Sequence, residues 1–90
     1  MENNIRIINA AVKRNDQVIT GRTHSECIHK AIADNNWDYP ITQEEQGFVD
    51  NNGKFHDRIE SMEIAVTAGQ IFIESIGRNY LLSEDLRRMI

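Results

Sequence analysis

An Asn-Gly pair between two short segments that each contain a phenylalanine is the feature of this sequence that most narrows its possible folds. Gly-Phe-Val at 47–49 precedes the turn segment, Lys-Phe at 54–55 follows it, and the segment between them ends in Asn52 and Gly53. Tight hairpin turns need residues that accept a positive φ, and asparagine and glycine accept it better than other residues. The sequence therefore predicts a short antiparallel β-hairpin in the middle of the chain.

A second hairpin is predicted at the N-terminus. Residues 5–12 have the apolar pattern of a strand, and residues 14–16 include the asparagine and aspartate that are common in turns. Residues 17–20 are predicted to form the return strand, which ends at Gly21. Period two places Ile5, Ile7 and Ala11 on one face of the first strand and Ile8, Ala10 and Val12 on the other. Because both faces are largely apolar, this strand is expected to be covered on two sides or to lie at a subunit contact.

Each predicted hairpin is followed by a helix start. Thr23 with Glu26 fits a capping box, and Asp57 with Glu60 gives a similar signal. The first helix is predicted to run to about Asn35. The predicted inward stripes are Cys27, Ile28, Ala31 and Ile32 in the first helix, and Ile59, Met62, Ala65, Val66 and Gly69 in the second.

The remaining segments connect these elements. Residues 35–46 are predicted to be a connection that Trp37 and Tyr39 pin to the body, and residues 71–73 fit either helix or strand. Ser83 is predicted to cap a last short helix. Together these patterns predict one α+β domain over residues 1–90, with an N-terminal antiparallel hairpin, a second short hairpin and two main helices packed on the sheet.

Composition limits the classes of function. The net charge is −4, which argues against binding to duplex nucleic acid, since such proteins normally carry a basic face. Cys27 is the one cysteine, and no apolar stretch approaches the roughly 20 residues that span a bilayer, so a soluble, cytosolic protein is expected. Ninety residues bury a modest core, which favours a homo-oligomer.

Signatures of catalysis and metal binding are weak. Cys27 and His29 are two residues apart on a predicted helix, so they point in different directions and cannot share a metal ion. Cys27 also lies within an apolar stripe, where a small buried residue is expected rather than a nucleophile. The glycines have no phosphate-loop or dinucleotide spacing. These observations predict a protein that is not an enzyme and has no cofactor or metal.

Cations at both helix starts are the most informative feature for function. Bases flank each cap: Arg22 and His24 flank Thr23, and His56 and Arg58 flank Asp57. A helix start offers exposed amides and a partial positive charge, so added bases suit a phosphate or another anion. The alternative is that Glu26 and Glu60 neutralise these bases.

Aromatic residues could add a stacking surface for a nucleotide base, with Phe48 or Trp37 as the candidates, although Phe48 and Phe55 also suit a core. The predicted ligand-binding residues are Arg22, Thr23, His24, Phe48, His56 and Arg58.

Several short motifs follow each other in an order that resembles a group of small accessory proteins of phage genomes. They are Gly-Arg-Thr-His at 21–24, Gln-Gly-Phe-Val at 46–49, Ala-Gly-Gln at 68–70 and Leu-Ser-Glu-Asp-Leu at 82–86. The resemblance covers nearly the whole chain. This sequence departs from the pattern at residues 59–62, where a more alanine-rich helix start is expected, and in extending through residues 87–90.

The resemblance implies a phage protein that acts in the host cytoplasm. By analogy with phage sponge proteins that counter Thoeris and cyclic-oligonucleotide defences, it implies a non-enzymatic protein that sequesters a phosphorylated, possibly cyclic, nucleotide-derived immune signal. The alternative is an acidic protein that binds and inhibits a host defence complex. An enzyme that destroys the signal is the third reading. The contact set predicted for the inhibitor is Glu44, Glu45, Asp50, Glu84 and Asp85.

Overall fold

The computed structural model describes residues 4–72, 74 and 77–89. Its strands form one antiparallel sheet in the order β2-β1-β3-β4. The strands are β1 (Ile7–Arg14), β2 (Gln17–Gly21), β3 (Gln46–Asp50) and β4 (Phe55–Asp57), and the two main helices are α1 (His24–Asn35) and α2 (Arg58–Thr67). The predicted α+β class, with two hairpins and two main helices, is confirmed.

The β1–β2 hairpin closes through a two-residue loop. Arg14 pairs with Gln17, and Asn15 between them has a φ of 56°. Asparagine is one of the few residues that adopts this left-handed conformation at low cost. The turn predicted from residues 14–16 is therefore confirmed.

A bulge near the start of β1 changes the predicted alternation. Ile7 pairs with Asp50 and Asn9 pairs with the next residue of β3, Val49, so β1 holds one extra residue. Ile7 consequently joins the buried cluster that contains Ala10, whereas Ile8 is 47% exposed. The prediction that Ile7 and Ala10 lie on opposite faces was wrong, because an inserted residue reverses the faces of the residues before it.

The β3–β4 hairpin is held by the carboxylate of Asp50 as well as by its Asn-Gly turn. Asp50 Oδ1 accepts the backbone N–H groups of Asn52 at 2.7 Å and Lys54 at 3.0 Å, and Gly53 has a φ of 83°. An aspartate that accepts amides further along the chain stabilises a turn locally. The predicted second hairpin is confirmed.

Gly47 on β3 allows two strands and a ring to approach each other closely. A Cβ atom at this position would lie 2.1 Å from the carbonyl oxygen of His56 and 2.7 Å from Cζ of Phe55. Neither the backbone of β4 nor a ring packed over the strand can yield that much space. The sequence therefore requires glycine here for packing, not for its φ angle.

The predicted caps are present at both main helices. Thr23 Oγ1 accepts the N–H of Glu26 at 3.1 Å, and Asp57 Oδ1 accepts the N–H of Glu60 at 2.8 Å. The Glu26 carboxylate accepts the N–H of Arg22 at 2.8 Å and not that of Thr23. The first motif is therefore a capping box whose second bond is displaced by one residue.

The C-terminal 3-10 helix (Ser83–Arg88) begins differently from the prediction. Leu82 occupies the cap position, and the carboxylate of Asp85 accepts the N–H of Leu82 at 2.8 Å. Asp85 is buried and held by Arg78, with Nη2 to Oδ1 at 3.0 Å. The prediction that Ser83 caps this helix was wrong, because a fixed carboxylate already satisfies the first exposed amide.

The core lies between the sheet and the two main helices. It contains Ile7, Ala10, Val12, Ile19, Cys27, Ala31, Trp37, Ile41, Phe48, Met62, Ala65, Ile71 and Leu81. In α2 the predicted stripe holds for Met62 and Ala65 but not for Ile59, which is 52% exposed. Ser61 is buried instead, and its hydroxyl donates to the carbonyl of His56 at 3.3 Å. The inward face of α2 is therefore rotated from the one that the apolar pattern predicted.

The connection from α1 to β3 is pinned by one of the two predicted aromatic residues. Trp37 is buried, its Nε1 donates to Gln17 Oε1 at 2.7 Å, and the guanidinium of Arg14 lies 4.9 Å from the ring centre. Tyr39 is 78% exposed, so the prediction was wrong for this residue. Residues 71 and 72 are neither helix nor strand, and the prediction for Ile73 falls outside the described residues.

Strand β2 does not reach the N-terminal end of β1, so the first residues of β1 have no neighbouring strand on that side. The last pair is Gly21 with Ala10. At Ile7 the side chain of Gln70 replaces a strand, since it accepts the Ile7 N–H at 2.8 Å and donates to the Ile7 carbonyl at 2.7 Å. Residues 8 and 9 lie between these two contacts, beside the start of α1.

Candidate functional site

The structure brings the two helix starts together. His24, the first residue of α1, has its Nδ1 3.4 Å from Nη2 of Arg58, the first residue of α2. The other ring nitrogen of His24, Nε2, donates to the carbonyl of Gly47 at 2.7 Å. Strand β3 therefore runs beneath the point where the positive ends of both helices meet.

His24 is neutral at physiological pH. Burial lowers its pKa, the charge of Arg58 lowers it further, and the bond to Gly47 opposes both effects, so the pKa is about 4. With the proton on Nε2, Nδ1 is left to accept from Arg58. The ring also meets Phe48 edge to face, with a centroid distance of 5.0 Å. His24 consequently supplies no positive charge to an anion.

His56 lies between two carboxylates, an arrangement that favours its charged form. The buried ring donates from Nε2 to Asp50 Oδ2 at 2.8 Å and from Nδ1 to Glu60 Oε1 at 2.9 Å. Burial alone would lower the pKa of His56, but the two carboxylates raise it above its ordinary value. Burial likewise opposes ionisation of Asp50, while bonds from His56, Lys54 and Asn52 lower its pKa.

Arg58 is partly buried and has no carboxylate hydrogen-bonded to it within the described residues. Its Nη2 donates to Gln46 Oε1 at 2.9 Å, and its buried Nε has no hydrogen-bond partner there. Burial lowers the pKa of Arg58, and Tyr80 opposes this shift. The residue also borders a cavity of about 480 Å³ with Gln43, Glu44, Asp57, Ile59 and Tyr80.

A second cavity, of about 670 Å³, opens at the start of α1 where β2 has ended. We call it the α1 groove. The groove is lined by two residues of β1, three residues at the start of α1 and three residues of the C-terminal 3-10 helix. They are Ile8, Asn9, Arg22, Thr23, Glu26, Ser83, Leu86 and Arg87.

The α1 groove carries more positive than negative charge. Within the described residues the guanidinium groups of Arg22 and Arg87 make no hydrogen bond or salt bridge, whereas Arg14 and Arg78 are each paired with a carboxylate. Glu26 is the acidic residue of the groove, and the backbone N–H of Arg22 lowers its pKa. Lys30 partly offsets that carboxylate, with Nζ 4.0 Å from Oε2. Two arginines are therefore available to an anion.

The six residues predicted to bind a ligand fall in three places. Arg22 and Thr23 line the α1 groove, and Arg58 borders the other cavity. The remaining three, His24, Phe48 and His56, are buried between the sheet and the helices. Phe48 is fully buried, so its ring belongs to the core and has no surface on which a base could stack.

Arg87 is the residue of the α1 groove that sequence reasoning missed. Its position near the end of a short helix predicted only a favourable interaction with the helix dipole. Nothing local in the sequence indicates that it lines the same groove as Arg22. The structure brings the two together because the C-terminal 3-10 helix packs against β1.

The predicted acidic contact set is reduced by the fold. Asp50 and Asp85 are buried and paired with His56 and Arg78, so they cannot meet a partner protein. Glu45 is paired with Arg14 at 2.6 Å, and this bond lowers the pKa of Glu45 to about 2. Glu44 and Glu84 are the exposed members that remain.

Cys27 has the structural role that its pattern predicted. It is fully buried, and burial raises the pKa of its thiol to about 11. A protonated, inaccessible thiol is a poor nucleophile. Among the residues that the structure describes, no three His, Cys, Asp or Glu side chains come together in a way that could hold a metal ion.

Comparison with known proteins found one family. The model of a family described as Phage T4 y16D protein matches residues 6–86. Neither the comparison with curated proteins nor that with solved structures found a match. In the described part of the chain, no helix has the length and apolar character required to cross a bilayer.

Proposed function

This chain belongs to the phage T4 y16D protein family, and we propose that it is an accessory protein that binds and sequesters a small phosphorylated, nucleotide-derived immune signal in the host cytoplasm. The α1 groove is the proposed binding site. The observation that carries the proposal is the pair of arginines, Arg22 and Arg87, that face one groove without a carboxylate partner.

The chemistry of the groove fits such a ligand. Guanidinium groups bind phosphate through paired hydrogen bonds, and the partial positive charge at the start of α1 adds to their attraction for an anion. A volume of about 670 Å³ lies in the range of small-molecule sites. Ile8 and Leu86 provide apolar surface for a base or sugar, in place of the aromatic stacking that Phe48 was predicted to supply.

Binding without turnover is the form of activity that these residues support. Glu26 is the carboxylate that lines the groove, and its lowered pKa keeps it ionised at neutral pH, where it is a poor general acid. The nearby thiol of Cys27 is protonated and buried. His24, His56 and Arg58 do not line the α1 groove, so the proposal gives them a structural role at the helix starts in place of their predicted role as direct ligands.

Calorimetry with a panel of cyclic dinucleotides and ADP-ribose derivatives tests the proposal. We expect binding heat for at least one ligand and a loss of affinity of roughly 10- to 100-fold in Arg22→Ala and in Arg87→Ala, the effect of removing a charge-assisted hydrogen bond. Arg88→Ala is the matched control, since Arg88 is exposed on the same 3-10 helix but does not line the groove.

Native mass spectrometry of protein purified from phage-infected cells identifies the ligand and also measures the predicted homo-oligomeric state. A retained phosphorylated mass that is lost in Arg22→Ala supports the proposal. Absence of heat with the whole panel, together with recovery of the protein without any retained small molecule, would contradict it. Release of a converted product would instead indicate an enzyme.

A further inference from the structure

The outer side of α2 carries a second surface, which shares no residue with the α1 groove. The 480 Å³ cavity beside Arg58 adjoins another of about 340 Å³, and Ile59 lines both. Together they follow α2 from Asp57 to Thr67, alongside Asn79 and Tyr80. We call this combined surface the α2 groove.

The base of the α2 groove is apolar. Ile59 is 52% exposed and Tyr80 is 41% exposed, and Val66 is half-buried further along the helix. Met62 lies between them with almost no exposed surface, so it forms a floor that is anchored in the core. Large apolar side chains that remain exposed in one concave strip mark a contact surface more often than isolated ones do.

The rim of the α2 groove is acidic. Glu44, Asp57 and Glu63 line it and are exposed, and within the described residues none of them forms a salt bridge. Arg58 also lines the groove and offsets part of this charge, although its guanidinium donates to Gln46 and forms no salt bridge with the rim within the described residues. The surface therefore combines an apolar base with a rim that has more negative than positive charge.

This combination selects the kind of partner. A second copy of the chain would place one acidic rim against another, and nucleic acid would bring phosphates to the same carboxylates, so both are disfavoured electrostatically. A segment with apolar residues on one side and lysine or arginine on its flanks can pack against the apolar base and form ion pairs with the acidic rim. Since the ten residues of α2 span about 15 Å, the groove suits about three turns of a helix.

We propose that the α2 groove docks a basic, amphipathic helical segment of a partner protein. The apolar anchors of that segment, at i, i+3, i+4 and i+7, lie over Ile59, Met62 and Val66. Its basic flanks face Glu44, Asp57 and Glu63. This interaction is independent of ligand binding in the α1 groove, so either can fail without the other.

Two synthetic peptides test the docking surface directly. Both are helical and carry leucine at i, i+3, i+4 and i+7, but one has lysine and the other glutamate at the flanking positions. By fluorescence anisotropy with the whole chain, the lysine peptide is expected to bind at least 10-fold more tightly. Binding should weaken at least 10-fold in Ile59→Ser and in Glu63→Lys, and should fall as salt is raised.

Ile32→Ser is the matched control, since Ile32 is a partly exposed isoleucine on α1 and lies outside the α2 groove. Equal affinity for the two peptides, or unchanged binding in Ile59→Ser when thermal unfolding shows that the variant is folded, would overturn the proposal. Conversion of an oligomer to monomers by Ile59→Ser would also overturn it, because the occupant would then be a second copy.

Discussion

The starts of α1 and α2 have nearly the same sequence pattern but opposite electrostatics. Each has a capping residue with a base on either side, at 22–24 and at 56–58. At α1 the arginine lines the α1 groove and the histidine is buried and neutral. At α2 the histidine is buried between two carboxylates that raise its pKa, and the arginine donates to Gln46. A local pattern of bases therefore does not determine which base is free to bind an anion.

Strand β3 creates the difference, because it places a different oxygen beneath each histidine. His24 meets the carbonyl of Gly47, which accepts a hydrogen bond but carries no charge. His56 meets the carboxylate of Asp50, three residues further along the strand, which compensates a full positive charge. Burial consequently decides the protonation of His24, whereas pairing decides that of His56.

The largest expected effect comes from removing the carboxylate beneath His56. Asp50→Ala leaves a buried imidazole without its main partner and frees two turn amides, so the free energy of unfolding should fall by about 3–5 kcal/mol. Urea unfolding at pH 6 measures this loss. Asp34→Ala, at an exposed aspartate of α1, is the control and should change stability by less than about 0.5 kcal/mol. A loss below about 1 kcal/mol in Asp50→Ala would contradict a stabilising pair between Asp50 and His56.

The pH dependence of stability should separate the two histidines. The pKa of His24 is about 4 in the folded protein and about 6.5 when unfolded, so the unfolded state binds more protons between these values and stability falls as the pH drops through them. We expect this loss of stability to reach about 3 kcal/mol near pH 4, and to be absent in His24→Gln.

His56 should behave in the opposite way. Because its folded pKa is raised, its contribution is complete below about pH 6.5 and is lost as the pH rises through the folded pKa. Denaturant unfolding of both His→Gln variants from pH 4 to 8 measures the two slopes. If His24 and His56 changed the free energy of unfolding in the same direction as the pH rises, the two helix starts would be electrostatically alike.

Arg58 contacts both helix starts, so replacing it tests how they interact. The expected loss of stability is smaller than that in Asp50→Ala. Arg58→Met leaves Gln46 Oε1 without its donor, which should destabilise the protein by about 1–2 kcal/mol. It also removes a charge that lowers the pKa of His24, so this pKa should rise. A proton NMR titration of the imidazoles measures the shift, and Arg88→Met is the exposed control. An unchanged pKa of His24 would contradict the contact.

Arg22 should have the smallest effect on stability, in contrast to Arg58. Its side chain is exposed and makes no hydrogen bond or salt bridge within the described residues. Thermal unfolding of Arg22→Ala should therefore differ from that of the parent by less than about 0.5 kcal/mol. Thr23→Ala is a useful reference, because loss of the cap should cost about 1 kcal/mol. A larger loss in Arg22→Ala would give Arg22 a structural role.

Apart from the Ser83 cap, the parts of the fold that depend on short sequence separations were predictable. The Asn15 loop, the Asn-Gly turn and the caps of Thr23 and Asp57 all involve residues within four positions of one another. The bulge at Ile7–Asn9 and the exposure of Ile59 were not predictable, because they depend on how distant strands and helices pack. The contact of Gln70 with Ile7, 63 residues away, has no local signature.

The candidate site shows the same division. Arg22 and Thr23 were identified from the helix start alone. The burial of His24 and Phe48 depends on β3, and the place of Arg87 in the groove depends on the chain beyond α2. A sequence pattern can therefore indicate that a helix start is rich in bases, but the competing partners come from the rest of the fold.

The make-up of the α1 groove has a consequence for biosynthesis. All four strands and both main helices lie between Ile7 and Thr67, so none of them contains a residue of the C-terminal 3-10 helix. The groove itself is complete only in chains that extend through residues 83–87. A prematurely released chain can thus keep the strands and main helices yet lack one wall of the binding surface, and it would not compete with finished molecules for the ligand.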